Sequence, residues 1–315
     1  MEYIEYKPHP SLSEYIECFW ATDVHNTISS REVESFIPDG NIELVFNFGD
    51  DLTEFMDGKR ESVRGSHVSG IRNKSAHVVL PERLKFFCVR FKPGGSYPFF
   101  GIPAHLFAYA NYPLDAFLGR EYRLLEEQVY EAPDDTTRIG LIENFLLKKL
   151  QNTGVIADYY FVKSCMHSLF LDTSLRINEL SRKFHSNYKT IERKFKKVTG
   201  LSPSELVKIK RVNNAVQFMH SSNAISLTET AYACGYYDQS HFIREFKQVT
   251  ELAPREFLKK EFAVVQSTEG IDFSCRIVVE IVQFLQSTDS YVCLKTDKNR
   301  QIHEKTHRRS LPDGY

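Results

Sequence analysis

Two short stretches hold the residues best suited to chemistry. In the first, Lys189, Thr190, Glu192, Arg193 and Lys196 follow Asn187; in the second, Gln239, Ser240, His241, Arg244 and Lys247 follow Asp238. These residue types hold a polyanion rather than break bonds. Arg193 and Arg244 each have two readings, a bidentate bond to guanine O6 and N7 or a clamp on phosphate. For Arg244 a third stands beside these, an intramolecular salt bridge with Asp238 or Glu245. Lys196, Lys197, Lys208, Lys210, Arg211 and Lys247 would add the salt-sensitive attraction to a phosphate backbone.

The two stretches are copies of one module. Arg193, Phe195, Lys196, Val198, Thr199, Leu201, Pro203 and Glu205 recur as Arg244, Phe246, Lys247, Val249, Thr250, Leu252, Pro254 and Glu256, all at an offset of 51. Repeat solenoids need at least three units to bury a continuous core, so two copies fit a tandem pair of recognition modules. Charge follows the modules. Residues 171–261 carry 16 Lys and Arg against 10 Asp and Glu, residues 1–170 carry 17 against 24, and residues 262–315 carry 7 against 7, although the whole chain nets only −1. A basic segment within an otherwise acidic chain points to a polyanionic partner for that segment alone.

Presenting those side chains requires helices with one buried and one exposed face. Asn187 and Asp238 suit N-caps, because a short side-chain oxygen accepts from the first-turn amides. Behind them Ile191, Phe195 and Val198, and Phe242, Phe246 and Val249, each fall on one apolar stripe. This leaves Lys189, Glu192, Arg193 and Lys196, and Ser240, Ile243, Arg244 and Lys247, on the opposite faces. A shorter helix and a turn precede each copy: Ile177–Phe184 before His185, and Leu227–Cys234 before Gly235, where a tight corner favours a positive φ. Between the copies, Ser202-Pro203-Ser204-Glu205 reads as a capping box that starts a linking helix reaching about His220, while the second copy repeats the start without the serine, as Ala253-Pro254-Arg255-Glu256.

The run Gly235-Tyr236-Tyr237-Asp238-Gln239-Ser240-His241-Phe242-Ile243-Arg244-Glu245-Phe246-Lys247, followed by Pro254 and Phe257, resembles the signature of AraC/XylS-type transcriptional regulators. The similarity covers roughly 170–260, including both copies and the linking helix. It implies two helix-turn-helix units whose recognition helices enter successive major-groove segments on one side of duplex DNA. Carried over by position, it implies base or backbone contacts from Lys189, Glu192 and Arg193, and from Gln239, Ser240, His241 and Arg244. Two departures stand out: Glu251 occupies the recognition-helix exit where the family usually has Gly, and the first corner has His185.

The rest of the chain reads as a different domain. Ile42–Phe48, Ala76–Leu80 and Phe86–Phe91 are short apolar runs ended by turn formers, as in a small antiparallel sheet or barrel. From about 114 the spacing becomes helical: Leu118, Tyr122, Leu125 and Val129, then Ile139, Ile142, Leu146 and Leu150. The second stripe has two readings, plain core or a dimer face. The expected class is α+β, with a small sheet or barrel closed by helices over 1–152, an all-α tandem helix-turn-helix domain over 165–261, and a tail over 262–315 whose Ile277–Leu285 segment reads as strand or helix. Val89–Gly101, with Pro38-Asp39-Gly40 and Leu44–Gly49, resembles the N-terminal regulatory domain of a subset of AraC-type regulators. Phe46, Phe48, Phe91 and Phe99, with Arg90 as an anion anchor, form a candidate effector site; simple core is the other reading of these aromatics.

Several chemistries find no support. The six cysteines (Cys18, Cys88, Cys165, Cys234, Cys275 and Cys293) have no CxxC spacing, and His67, His77 and His105 no HxH pairing, so neither metal nor cofactor is expected. There is no nucleophile elbow, P-loop or paired-carboxylate motif. The N-terminus lacks a leader pattern and no apolar run reaches about 18 residues, so no membrane partner and a cytoplasmic location are expected. The expected function is a DNA-binding transcription regulator, an activator or equally a repressor, with double-stranded DNA, a small-molecule effector, RNA polymerase and a second copy of the chain as partners. A DNA-modifying or repair enzyme fused to the same module, and a protein-binding module for acidic partners, are the alternatives.

Overall fold

The computed structural model describes residues 3–259 apart from 26–32, 57–58, 116–118, 151–155, 173–174, 176 and 222–225. Leu118 and the 262–315 tail, with Cys275 and Cys293, lie outside the described residues.

Among the described residues of the first half are ten strands: β1 (Ile4–Tyr6), β2 (Ile16–His25), β3 (Val33–Phe36), β4 (Ile42–Asn47), β5 (Leu52–Met56), β6 (Lys59–Val63), β7 (His67–Ser69), β8 (Ala76–Val79), β9 (Arg83–Phe91) and β10 (Asn111–Pro113). They pair antiparallel into a six-stranded sheet, β1-β2-β9-β4-β7-β10, and a four-stranded sheet, β3-β8-β5-β6. The barrel reading is corrected here: a barrel needs one closed ladder, and these are two separate ladders. The central β9 is apolar almost throughout because both its faces are covered. Phe87, Val89 and Phe91 join Leu44 and Phe46 in the core under the helices, while Phe86 and Cys88 join Trp20 and Val45 on the face turned to the second sheet.

Helices α1 (Tyr97–Phe100), α2 (Arg120–Glu131), α3 (Asp135–Lys149) and α4 (Ile156–Leu171) close the first face, with a 3-10 turn at Ala104–Phe107. Tyr122 stacks on Phe46 at 6.1 Å, and Leu125, Val129, Ile142 and Leu146 are buried in the same core. Ile142 and Leu146 have no exposed surface in the single chain, so the dimer-face reading of that stripe is corrected to plain core. The sheet needs no second copy for cover, because α4 brings Tyr159, Val162, Cys165 and Leu169 into the same cluster.

The second half consists of α5 (Ile177–Lys183), α6 (Tyr188–Thr199), α7 (Pro203–Ser221), α8 (Leu227–Ala233), α9 (Gln239–Thr250) and α10 (Pro254–Lys259). Its two modules are joined differently to the first half. Ile191, Phe195, Val198, Leu201 and Leu206 belong to the cluster that also holds Leu12, Phe91 and Tyr97, so one core runs through the sheet domain and the first module. Phe242, Phe246, Val249 and Phe257 form a second core with Val212 and Val216 of α7, to which the first half contributes Ile37.

Candidate nucleic-acid interface

Each module is a short helix, a left-handed corner and a longer helix. His185 takes φ 47° and Gly235 φ 76°. His185 adopts there a conformation that costs an L-residue roughly 1 kcal/mol. The second corner is one residue longer, with four residues between α8 and Asp238 against three between α5 and Asn187.

Both expected caps form. The Asn187 side chain accepts from the Thr190 amide at 2.9 Å, and that of Asp238 from the His241 amide at 2.7 Å. Ile191, Phe195 and Val198 in α6, and Phe242, Phe246 and Val249 in α9, are fully buried. That phase turns Lys189, Arg193 and Lys196 outward on α6, and Ser240, Arg244 and Lys247 outward on α9, with Thr190, Glu192, Gln239 and His241 half-buried beside them. Ser240, Ile243, Arg244, Lys247 and Gln248 line one shallow groove.

The structure separates basic residues that hold the fold from those on the outer face. Lys194 and Lys197 both pair with Asp158 of α4, Lys197 at 2.9 Å, and hydrogen bonds from these two ammonium groups, Lys194 first, hold the Asp158 carboxyl below its usual range. Arg211, grouped in the sequence with the phosphate-facing residues, lies 3.6 Å from Glu245, and Glu245 also meets His241 at 3.3 Å. His241 further packs edge-on against Tyr236, and Gln239 accepts from Thr228 at 2.9 Å. His241 and Gln239 are therefore tied into their own module more than their helix positions suggest. Glu245 is engaged by Arg211 and His241 and Asp238 by the cap, while Arg244 stays exposed.

Two residues that sequence reasoning passed over join the outer face. Tyr188, the first residue of α6, is 38 % exposed, and Tyr237, in the second corner, is 86 % exposed. Large aromatics left in water at the capped ends of both recognition helices suit packing against sugars or base edges. Their positions beside the two caps were the available signal, but an aromatic there reads equally as core.

The four aromatics of the candidate effector site share one core, from which Arg90 is separated. Phe46, Phe91 and Phe99 lie in the core beneath the helices, and Phe48 packs on Tyr130 at 4.8 Å. Arg90 lies on the opposite face of the sheet, between Asp39 and Glu43. A one-residue step along a strand reverses the face, and the apolar runs of β4 and β9, buried on both sides, hid that alternation.

A family described as a helix-turn-helix domain matches residues 180–260, and one described as a domain of unknown function (DUF6597) matches residues 4–113. Residues 180–260 are a helix-turn-helix domain of the AraC type. The Msm operon regulatory protein of Streptococcus mutans is 26 % identical over 183 residues, which cover 56 % of this chain and 59 % of that protein. The HTH-type transcriptional activator RhaS of Citrobacter koseri is 30 % identical over 87 residues, 28 % of this chain and 31 % of that one. The chain thus spans less than two thirds of the length of these curated relatives. Among solved structures, ToxT of Vibrio cholerae is similar over 76 % of this chain and 97 % of its own, at 12 % identity and a TM-score of 0.43. These relatives lend the enzyme alternative no support. Among the described residues no helix is long and apolar enough to cross a membrane. The four described cysteines are buried, and burial pushes the Cys165 thiol up to about 12 and raises that of Cys234.

Proposed function

We propose that the protein is a transcription regulator that grips duplex DNA with α6 and α9 in neighbouring major-groove segments. The observation that carries this reading is the pair of capped helices, each burying one apolar stripe and turning outward a basic face, within the one segment of the chain that is net positive. Arg193 and Arg244 are the base-reading or phosphate-clamping residues, and Lys189, Lys196 and Lys247 the backbone contacts. On this reading the sheet domain is a sensor for a small molecule, RNA polymerase is the enzyme regulated, a second copy is the partner on repeated half-sites, and the cytoplasm is the compartment.

Titration of full-length protein onto labelled duplex DNA at a series of salt concentrations tests it. About six neutralised phosphates correspond to a slope of about −5 in log affinity against log salt. A flat profile between low and moderate salt would remove DNA as the partner and favour a protein-binding role.

A further inference from the structure

Between the two sheets of the first half lies a partly open cavity of about 200 Å3. Its wall is mostly apolar, from Trp20, Val45, Val63, Val78 and Phe86, with a polar part made of two groups, Asn41, Glu43 and Arg90, and Glu54 and Arg72. A purely apolar cavity of about 150 Å3 admits benzene, so this one has room for a single ring with a short head group.

The polar part selects the head. Both guanidinium groups are already matched, Arg90 by Asp39 and by Glu43 at 2.8 Å, and Arg72 by Glu54 at 2.8 Å. Three carboxylates against two guanidiniums leave acceptors in excess. Burial pushes the Glu43 and Glu54 carboxyls up despite their arginines, toward the neutral form, and a cation entering the cavity would favour their ionised form; burial also pushes the His67 imidazole down, away from its charged form. Asn41 provides the independent sign of a ligand. Its amide nitrogen donates to Asp39 Oδ2 at 2.9 Å, which fixes the orientation of the amide, and its Oδ1 is buried with no hydrogen-bond partner among the described residues. A buried acceptor left in that state costs about 1–3 kcal/mol, which a donor in the cavity would recover.

We propose that the cavity between the sheets binds a small protonated amine with an apolar body about one ring in size, its head against Asn41 Oδ1 and the neighbouring carboxylates. An anion is disfavoured there because each arginine is held by an acid.

The cavity rim also holds the second DNA-binding module. Pro38 O accepts from Asn213 Nδ2 at 2.9 Å, and Ile37 lies in the core of that module. Beyond Arg72, Ser75 N donates to Val249 O at 2.9 Å and His77 Nε2 meets Glu251 Oε2 at 2.6 Å. Occupancy of the cavity therefore bears on the segments that set the position of α9, a consequence that rests on the function proposed above, whereas amine binding itself does not.

Trp20 is the only tryptophan in the chain, is 3 % exposed and lines the cavity, so its emission reports occupancy. Full-length protein is titrated with benzylamine and, separately, with benzoate. The expected result is a saturable change with benzylamine, at least tenfold weaker with benzoate, and lost in Val78→Phe, which fills the cavity. Thermal melting checks that the variant folds; should it not, the amine and acid pair on the parent protein decides the matter alone. Equal or better binding of benzoate, or no saturable change with either, overturns the site. DNA affinity is then measured with and without saturating benzylamine. A shift of threefold or more supports the coupling, and no shift with the amine bound overturns it. A protein that binds no DNA counts against the proposed function and leaves the tryptophan titration to decide the site.

Discussion

Substituting Arg244 by alanine separates reading DNA from holding the fold. The guanidinium is exposed on α9, Glu245 is engaged by Arg211 at 3.6 Å and His241 at 3.3 Å, and Asp238 caps the helix through the His241 amide at 2.7 Å. Removing an exposed side chain clear of these ties is expected to change stability by no more than about 0.5 kcal/mol. Binding to a selected site is expected to weaken by about 1–3 kcal/mol, roughly 5- to 150-fold in Kd. The assay is fluorescence anisotropy of full-length protein on a duplex enriched from a random pool and on an unrelated duplex, at one fixed salt concentration. If Arg244 reads a base, the selected duplex loses more affinity than the unrelated one. If it clamps phosphate, both fall alike and the salt slope shrinks by about 1. Unchanged affinity for both duplexes, or a melting transition lowered as far as by a core deletion, would refute the assignment and return Arg244 to the fold.

Phe246→Ala is the contrasting core deletion: the ring is fully buried against Phe242 and Phe257, at 5.5 and 5.2 Å, and its loss is expected to cost about 3–5 kcal/mol in denaturant unfolding, with a cost below about 1 contradicting the packing described. At the exit of α9, Glu251 holds φ 64° and pairs with His77 through a half-exposed carboxylate, so Glu251→Gly, which relieves the backbone, is expected to melt later than Glu251→Ala by about 1 kcal/mol, and equal melting would argue against strain at this residue. Asp158→Asn is expected to lose about 1 kcal/mol at neutral pH. The Asp158 carboxyl is held below its usual value of 3.8, so its contribution is complete above that value and fades as pH falls through the lower folded value; a difference between parent and variant that persists in strong acid would contradict this.

The helical half was legible because each of its signals is local. A cap, a stripe at helical spacing and a capping box involve residues within a few positions of one another, and Asn187, Asp238 and the reciprocal Ser202–Glu205 bonds formed where the sequence placed them. In the sheet half, Ile42–Phe48 and Ala76–Leu80 end within one residue of the observed strands. β1 to β3, β5 to β7 and β10 show no such run; β2, for one, has Phe19 and Trp20 side by side, buried on opposite faces, and no clean alternation. The candidate site divides along the same line. Recognition-face residues follow from helical phase, whereas the partners of Arg90 lie 47 and 51 residues away in sequence, and no local pattern announces them.

The two modules share a sequence pattern but not an attachment, and one pair of residues marks the difference. Gly200 and Glu251 stand at the same place in the repeat, both at positive φ, 79° and 64°. At Gly200 a Cβ would lie 2.6 Å from Ile71 Cγ2, because the sheet domain presses directly on the exit of α6. Glu251 has room for a side chain and uses it to reach His77. The first module is thus sealed to the sheet domain by a shared apolar core, where parting would expose several large side chains at about 1.5–3 kcal/mol each. The second is held by Ile37 and a handful of polar ties, each worth about 1 kcal/mol. A ligand binding free energy of a few kcal/mol is comparable with the second attachment and far below the first. Any signal from the sheet domain is therefore expected to act on the placement of α9, with α6 as the fixed reference.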